Sequence, residues 1–215
     1  MQFLEHHLIY EESFWGHDVR LRHITQGSNT LVVFFPGQNY SCELPVLHYA
    51  VQSATSQGMD ALILEYGYQS ARVALEREHR SILEDEVLQT VRRWSEGYEQ
   101  LVFVSKSLGT LLAGYTAKHL SNRNIRHLYL TPLDSTLTYM QHSAGMVIYG
   151  TKDSLFSEES RAKLVSCPDL KIYKVPEAGH GLEISDPRKS AELMSGLVEE
   201  YIRFFSSLVE ETYHS

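Results

Sequence analysis

Cysteine is scarce in this sequence, and its scarcity excludes several kinds of site. The 215 residues include two cysteines, Cys42 and Cys167. Neither belongs to a CxxC pair or lies near spaced histidines, so the sequence indicates neither a zinc site nor a thioredoxin-like redox motif. Low thiol content without a disulfide framework is typical of reducing compartments, and we predict a cytoplasmic protein.

Long hydrophobic runs and an excess of basic charge are also missing. The longest apolar runs, LVVFFP and ALIL, are far too short to cross a bilayer. The N-terminus has no basic region followed by an apolar core, so it does not predict a signal peptide. Lysine and arginine total 19 against 27 acidic residues, a net charge of −8. We therefore expect neither nucleic acid nor a membrane as a partner.

The sequence does contain a repeated alternation of short β-rich runs with amphipathic stretches. Strands are predicted at 31–35, 60–65, 101–104, 125–130, 146–149 and 170–175, and helices at 44–57, 74–95, 107–119, 157–165 and 189–209. This order predicts an α/β fold, with a mostly parallel central sheet and helices on both faces. The segments HHLIYEE and HDVRLRHI predict an antiparallel pair at one edge. The length fits a single domain over residues 1–215.

Three side chains with catalytic chemistry each follow a predicted strand. Ser107 lies in SKSLG after LVFV, Asp153 in GTKD after MVIY, and His180 in EAGHG after LKIYKV. The carboxyl ends of parallel strands meet at one edge of a sheet, so these side chains are expected to lie together there. A serine hydroxyl needs a base such as imidazole, and a carboxylate orients that imidazole. The pattern predicts a catalytic triad with Ser107 as nucleophile.

From about Thr30 to the C-terminus, the sequence resembles the α/β-hydrolase family. That family carries a nucleophile elbow, G-x-S-x-G, between a strand and a helix, with the chain order Ser, Asp or Glu, His. The segment SKSLG departs from the elbow motif at one position, where Ser105 replaces the first glycine. Only about fifteen residues separate the strands at 125–130 and 146–149, too few for a large lid. The resemblance therefore implies a compact, lid-poor hydrolase of the carboxylesterase, thioesterase or dienelactone hydrolase type.

The resemblance also implies an oxyanion hole built from two backbone N–H groups. One belongs to the residue after the nucleophile, here Leu108, and the other to the loop after an earlier strand. The FFPGQNYS segment occupies the second place, with Gln38 as the predicted donor and Gly37 permitting close backbone approach. The alternative is that Pro36 and Gly37 form an ordinary turn.

Four residues are candidates for substrate binding: Gly37, Tyr40, Tyr66 and Lys106. Tyr40 and Tyr66 follow predicted strands, although a packing role suits Tyr66 equally well. Lys106 is next to the nucleophile, where it could either contact an anionic group of the substrate or simply be exposed.

The acid of the triad has an alternative in Asp134, which follows the preceding predicted strand in LTPLD. Asp153 matches the more usual family placement and is preferred. Asp134 could instead cap a short helix beginning near Ser135.

The predicted activity is hydrolysis of an ester or thioester of a small or flexible substrate, through an acyl-enzyme on Ser107. No metal and no organic cofactor is implied. The alternative from another functional class is a hydrolase-fold protein that binds a ligand or partner without turnover. An intact serine, aspartate and histidine set argues for the enzyme, since a binding module has no need of all three.

Overall fold

The computed structural model describes residues 4–120 and 124–213, and one eight-stranded sheet forms its centre. The strands are β1 (Glu5–Glu11), β2 (Val19–Thr25), β3 (Thr30–Phe35), β4 (Asp60–Ile63), β5 (Gln100–Lys106), β6 (Ile125–Leu130), β7 (Ala144–Gly150) and β8 (Leu170–Val175). They lie in the order β1-β2-β4-β3-β5-β6-β7-β8. Strands β3 to β8 run parallel to one another, whereas β2 is antiparallel to both β1 and β4. The predicted mostly parallel sheet and the antiparallel edge pair are both confirmed.

Seven helices connect or follow these strands in the described ranges. They are α1 (Pro45–Ser56), α2 (Gly67–Ser70), α3 (Arg80–Trp94), α4 (Leu108–His119), α5 (Leu137–Met140), α6 (Glu158–Lys163) and α7 (Pro187–Tyr213). Across residues 4–120 and 124–213, no helix combines the length and the apolar character needed to span a membrane. Between β6 and β7 the chain forms only a 3-10 turn at Asp134–Thr136 and the four-residue α5, so no lid is inserted there.

Each face of the sheet is covered by its own hydrophobic core. In β3, Val32 and Phe34 pack in the core that includes α1 and α7 residues, whereas Leu31, Val33 and Phe35 pack in the core that includes α3 and α4 residues. Successive strand side chains point to opposite faces, so a strand buried on both sides must be apolar throughout. All six residues of β3 are buried accordingly.

The chain changes direction across the sheet between β3 and β5. From β3 the chain moves to β4 on one side and then crosses back to β5 on the other. The loops leaving β3 and β5 therefore diverge, and a crevice opens at their carboxyl ends. Ligands in open α/β sheets bind at such switch points.

Helices α3 and α2 differ from what the sequence predicted. The helix predicted at 74–95 begins at Arg80, after a 3-10 turn over Arg77–His79, because Glu76 is extended with ψ of 148°. Helix α2 was not predicted, since four residues are too few to show helical periodicity. The assignment of residues 1–215 to one domain stays a prediction.

Candidate active site

Ser107 occupies a sharp turn between β5 and α4. Its backbone has φ of 52° and ψ of −118°, a region that residues other than glycine rarely adopt. Such strain persists only where the surroundings impose it, and it is concentrated at functional sites. The Ser107 amide donates to Leu130 O at 3.1 Å, and its carbonyl accepts from the amide of Thr110 at 2.9 Å. These bonds hold the turn from both sides, and the side chain lies partly exposed at its apex.

Close packing around this turn explains which positions need small residues. A Cβ atom on Gly109 would lie 2.3 Å from the carbonyl oxygen of Phe35, so only glycine lets α4 approach the end of β3 this closely. Ser105, at the first glycine position of the motif, is fully buried, and its hydroxyl has no hydrogen-bond partner among the described residues. Serine is therefore accommodated at that position. Its burial on the strand side of the turn keeps it away from the apex.

The structure brings Ser107, His180 and Asp153 into one hydrogen-bonded chain. His180 Nε2 lies 2.8 Å from Ser107 Oγ, and His180 Nδ1 lies 2.8 Å from Asp153 Oδ2. Asp153 is 1% exposed, whereas 25% of the His180 side chain is accessible. The carboxylate is thus shielded from water, and the imidazole reaches the surface beside the serine.

The hydrogen-bond partners define the tautomer that suits this chain. An ionised carboxylate only accepts, so Nδ1 of His180 must carry the proton that is donated to Asp153. In the neutral imidazole this leaves Nε2 as an acceptor for the Ser107 hydroxyl. The arrangement can therefore take a proton from Ser107 as the hydroxyl attacks an electrophile.

The loop carrying Asp153 is held from several directions. Asp153 Oδ1 accepts from the amide of Leu155 at 2.9 Å, which leaves Oδ2 for the histidine. Arg161, in α6, donates to the main-chain carbonyls of Thr151 and Asp153. A Cβ on Gly150 would lie 2.1 Å from the carbonyl oxygen of Ala178, so this glycine lets the aspartate loop pack against the loop that carries His180.

Asp134, the alternative acid, is engaged elsewhere. Its Oδ1 accepts from the amide of Ser157 at 2.7 Å. Burial acts to raise the pKa of Asp134, but hydrogen bonds from Ser157 and Ser160 and the charge of Arg161 outweigh burial and lower it. The predicted cap on a helix near Ser135 is wrong, because the side chain makes no cap bond to the 3-10 turn that it begins. It instead fastens the amino end of α6.

The loop after β3, residues 36–40, packs directly against Ser107. A Cβ on Gly37 would be 3.5 Å from Ser107 Cβ, so the backbone at Gly37 approaches the serine closely. The N–H of Gln38 has no hydrogen-bond acceptor among the described residues. Leu108 is the first residue of α4, where a backbone N–H has no intrahelical acceptor. Both N–H groups predicted for the oxyanion hole are therefore available as donors.

Lys106 and Tyr66 are both buried, which agrees with the packing role allowed for Tyr66 and shows that Lys106 is not exposed beside the nucleophile. Each is 1% exposed. Lys106 Nζ donates to Thr131 Oγ1 and to the carbonyl of His180, both at 2.9 Å. Tyr66 Oη donates to the carbonyl of Pro36 at 3.0 Å. The polar groups of both side chains are hydrogen-bonded within the protein, because the side chains lie beneath the loops of the site rather than above them.

The environment of Lys106 is unusual for a lysine. Burial lowers the pKa of Lys106 to about 8, against the opposing charges of Asp153 and Glu183. Its Nζ lies 4.6 Å from the ring centre of Tyr40, a cation–π distance. Tyr40 is partly buried, and its hydroxyl accepts from the amide of Val46 at 3.0 Å. Tyr40 therefore supports the lysine with its ring, and its contact with substrate stays a prediction.

Sequence reasoning missed the residues that support the site from outside its motifs. Arg161, Thr131 and Gln69 belong to no recognisable motif, and their partners are main-chain carbonyls or a buried lysine. Only Gln69 had a local signal, because it is the third residue of α2 and accepts from the amide of the N-cap residue, Tyr66. A capping box normally begins with serine or threonine, so a tyrosine cap conceals this pattern.

Three of the cavities in the described structure have volumes of about 650, 560 and 540 Å³. None of them is lined by Ser107, Asp153 or His180. The second is lined by Gln38 and Tyr40 and so borders the loop after β3. The serine and histidine are thus not enclosed in any of these three cavities.

Comparison with known proteins identifies the architecture. No protein-family model matches this sequence, and no curated protein matches it. A dienelactone hydrolase from Anabaena variabilis is 13% identical with a TM-score of 0.72, covering 95% of this chain and 99% of its own. An esterase from Pyrococcus furiosus is 12% identical with a TM-score of 0.67, covering 94% and 93%. A serine hydrolase without a lid from Xanthomonas campestris is 13% identical with a TM-score of 0.66, covering 93% and 94%.

These likenesses extend over nearly the whole of each chain, and at such low identity they concern the fold alone. The Xanthomonas campestris protein is described as having no lid, which agrees with the short connection between β6 and β7 in this chain. The chain has the α/β-hydrolase fold, in a form without a lid between β6 and β7.

Proposed function

We propose that this protein is a serine hydrolase that cleaves an ester or thioester of a small or flexible substrate. The observation that carries the proposal is the continuous chain from Ser107 Oγ through the His180 ring to Asp153 Oδ2, with both links at 2.8 Å. A solely structural histidine would not need a strained serine at one nitrogen and a buried carboxylate at the other. The similar proteins named as esterases and hydrolases support the same class of reaction.

In the proposed mechanism, Ser107 Oγ attacks the substrate carbonyl carbon while His180 Nε2 takes the hydroxyl proton. The carbonyl π electrons move to oxygen, and the oxyanion accepts hydrogen bonds from the N–H groups of Gln38 and Leu108. The amino end of α4 adds the positive end of a helix dipole. Collapse of this intermediate breaks the bond to the leaving oxygen or sulfur, which receives the proton from His180.

The second half of the reaction reverses these roles. The acyl-enzyme on Ser107 is attacked by a water molecule, whose proton passes to His180 Nε2. Breakdown of the second tetrahedral intermediate returns the proton to Ser107 Oγ and releases the acid. Asp153 stabilises the transient imidazolium in both halves, and its burial keeps competing water away from the carboxylate.

The serine is partly exposed and the β6–β7 connection is short. These features favour a substrate that reaches the site directly, without a lid that must open at a lipid interface. The site is therefore proposed to accept small or flexible acyl groups. Esters and thioesters are both included, because the donors lie at the attacked carbonyl and do not discriminate between leaving atoms.

A fluorophosphonate probe tests this proposal directly. Labelling of the folded protein, with the adduct mapped to Ser107 and absent from Ser107→Ala, is the expected result. The matched control is Ser105→Ala, which removes the neighbouring buried hydroxyl and should leave labelling intact. A folded wild-type protein that is not labelled, and that turns over no p-nitrophenyl ester or acyl-thioester, would instead indicate a binding protein.

A further inference from the structure

Three consecutive carbonyl groups of the loop after β3 accept hydrogen bonds from a single short segment. This segment, Tyr66–Gln69, consists of the N-cap and the first three residues of α2. The four bonds run from Tyr66 Oη to Pro36 O (3.0 Å), from Gln69 Nε2 to Gly37 O (2.9 Å) and Gln38 O (3.1 Å), and from Tyr68 Oη to Gln38 O (2.8 Å). The carbonyls of Pro36, Gly37 and Gln38 are therefore all turned toward α2.

The orientation of a carbonyl determines that of the next N–H group. In a trans peptide the C=O and N–H bonds point in opposite directions, and the bond between Gly37 and Gln38 is trans. Since Gly37 O points to Gln69, the N–H of Gln38 points away from α2. This N–H has no acceptor among the described residues. It belongs to the Gly37–Gln38 peptide, and Gly37 lies close to Ser107.

The side-chain amide of Gln69 has only one orientation that satisfies its partners. Its Oε1 accepts from the amide of Tyr66 at 3.2 Å, while its Nε2 donates to Gly37 O and Gln38 O. Exchange of the oxygen and nitrogen would place an acceptor against two carbonyls and a donor against an N–H. The amide is thus locked, and it clamps the Gly37–Gln38 peptide.

The segment that carries the clamp is itself immobilised. Tyr66 and Tyr68 are almost completely buried, and Tyr68 packs edge-on against Trp15 with ring centres 6.1 Å apart. A Cβ on Gly67 would lie 1.9 Å from Ser13 Oγ, so α2 is pressed against the segment between β1 and β2. A rigid support of this kind can hold a donor to the accuracy that transition-state stabilisation requires.

We propose that Gln69 is a positioning residue that orients the Gly37–Gln38 peptide, so that the Gln38 N–H is directed at the oxyanion formed when Ser107 attacks the substrate. The proposal rests on the proposed hydrolase function. It adds a role for Gln69 that depends on the transition state, because the negative charge on oxygen exists only there. Substrate binding in the ground state should depend on Gln69 far less.

Two substitutions separate this role from simple support of the fold. Gln69→Glu is nearly isosteric and keeps the acceptor for Tyr66 N–H, but its carboxylate cannot donate to Gly37 O or Gln38 O. Gln69→Leu removes both functions. Gln141→Leu, at an exposed position after α5, is the matched control. In each variant kcat and KM are measured for the best p-nitrophenyl ester. The values are normalised to the concentration of folded protein that the fluorophosphonate probe labels at Ser107.

A second measurement uses a trifluoromethyl ketone, which forms a tetrahedral oxyanion adduct with a serine nucleophile. We expect kcat of Gln69→Glu and Gln69→Leu to fall by about 10- to 100-fold, with KM within about threefold of wild type. Inhibitor affinity should fall in parallel with kcat/KM. Gln141→Leu should match the wild type in both measurements.

The outcomes distinguish the role of Gln69 from the hydrolase function itself. Wild-type turnover and labelling with unchanged kcat in both folded Gln69 variants would overturn the role of Gln69 and leave the hydrolase function standing. A fall in kcat without weaker binding of the ketone would also overturn it, because the loss would then lie outside the oxyanion. A wild-type protein that shows neither turnover nor labelling would overturn the hydrolase function, and this role with it.

Discussion

The ammonium group of Lys106 donates a hydrogen bond to the main-chain carbonyl of His180, with 2.9 Å between nitrogen and oxygen. The residue before the proposed nucleophile thereby holds the loop that carries the proposed base. A second bond to Thr131 Oγ1 ties the same group to the end of β6. One buried side chain thus joins the loops that leave three strands of the sheet, β5, β6 and β8.

Replacement of this lysine should loosen the histidine loop. We expect Lys106→Met to lower kcat by about 10- to 100-fold, because a shift of His180 by a fraction of an ångström weakens proton transfer from Ser107. The measurement is the kinetics of p-nitrophenyl ester hydrolysis, with thermal unfolding to confirm the fold. Lys118→Met, at an exposed site in α4, is the control and should leave kcat unchanged. Wild-type kcat in folded Lys106→Met would contradict the role of the hydrogen bond.

The two acidic candidates differ in their partners and should differ in their mutational effects. Asp153→Asn removes the ionised partner of His180 Nδ1 and favours the wrong tautomer, so kcat/KM should fall by about 10⁴-fold. Asp134→Asn alters the contacts of Asp134 with Ser157, Ser160 and Arg161 at the start of α6 but none with His180, and we expect a change of less than about threefold. Steady-state hydrolysis by both variants measures the contrast. Equal losses in the two variants would refute the assignment of Asp153.

The glycine after the nucleophile is needed for packing. Gly109→Ala would place a methyl group 2.3 Å from Phe35 O and 2.6 Å from Pro36 O, and these backbone atoms leave little room for relaxation. We expect the free energy of unfolding to fall by more than about 2 kcal/mol, as measured from urea denaturation. Gly196→Ala is the matched control, since nothing lies within 4 Å of its added Cβ. That change, inside α7, should stabilise the protein by about 0.5–1 kcal/mol.

A buried histidine away from the site should govern stability in acid. Burial lowers the pKa of His127 from its ordinary value of 6.5 to about 3. Between these two values the unfolded chain binds a proton that the folded protein does not, so the free energy of unfolding falls as pH falls below 6.5. The free energy of unfolding is therefore expected to be about 2 kcal/mol lower at pH 5 than at pH 7.

The variant His127→Phe tests that pH dependence, because phenylalanine can keep the stacking on Tyr129 and cannot titrate. We expect urea denaturation at pH 7 and pH 5 to show a smaller loss of stability for His127→Phe than for wild type. His17→Phe, which alters an exposed histidine, should keep the wild-type dependence. An identical loss of stability in wild type and His127→Phe would exclude His127 as its source.

Much of this fold could be predicted because its strands are buried on both faces. LVVFF and LVFV must be apolar throughout, so they stand out from the amphipathic helices between them. The positions of Ser107, Asp153 and His180 also followed, because each comes directly after such a strand. Helix α2 escaped prediction since its role depends on contacts with residues about thirty positions earlier, which no local pattern records.

The sequence by itself determined the α/β alternation, the antiparallel edge and the three residues that meet at the carboxyl ends of the strands. Local periodicity and chain order are sufficient for these, since they follow from which residues must be buried. Only the tertiary structure decided that Asp153 rather than Asp134 pairs with His180, and that Lys106 and Tyr66 lie under the site. Those outcomes depend on which loops pack together, and distances of a few ångströms between distant segments are not encoded in any local pattern.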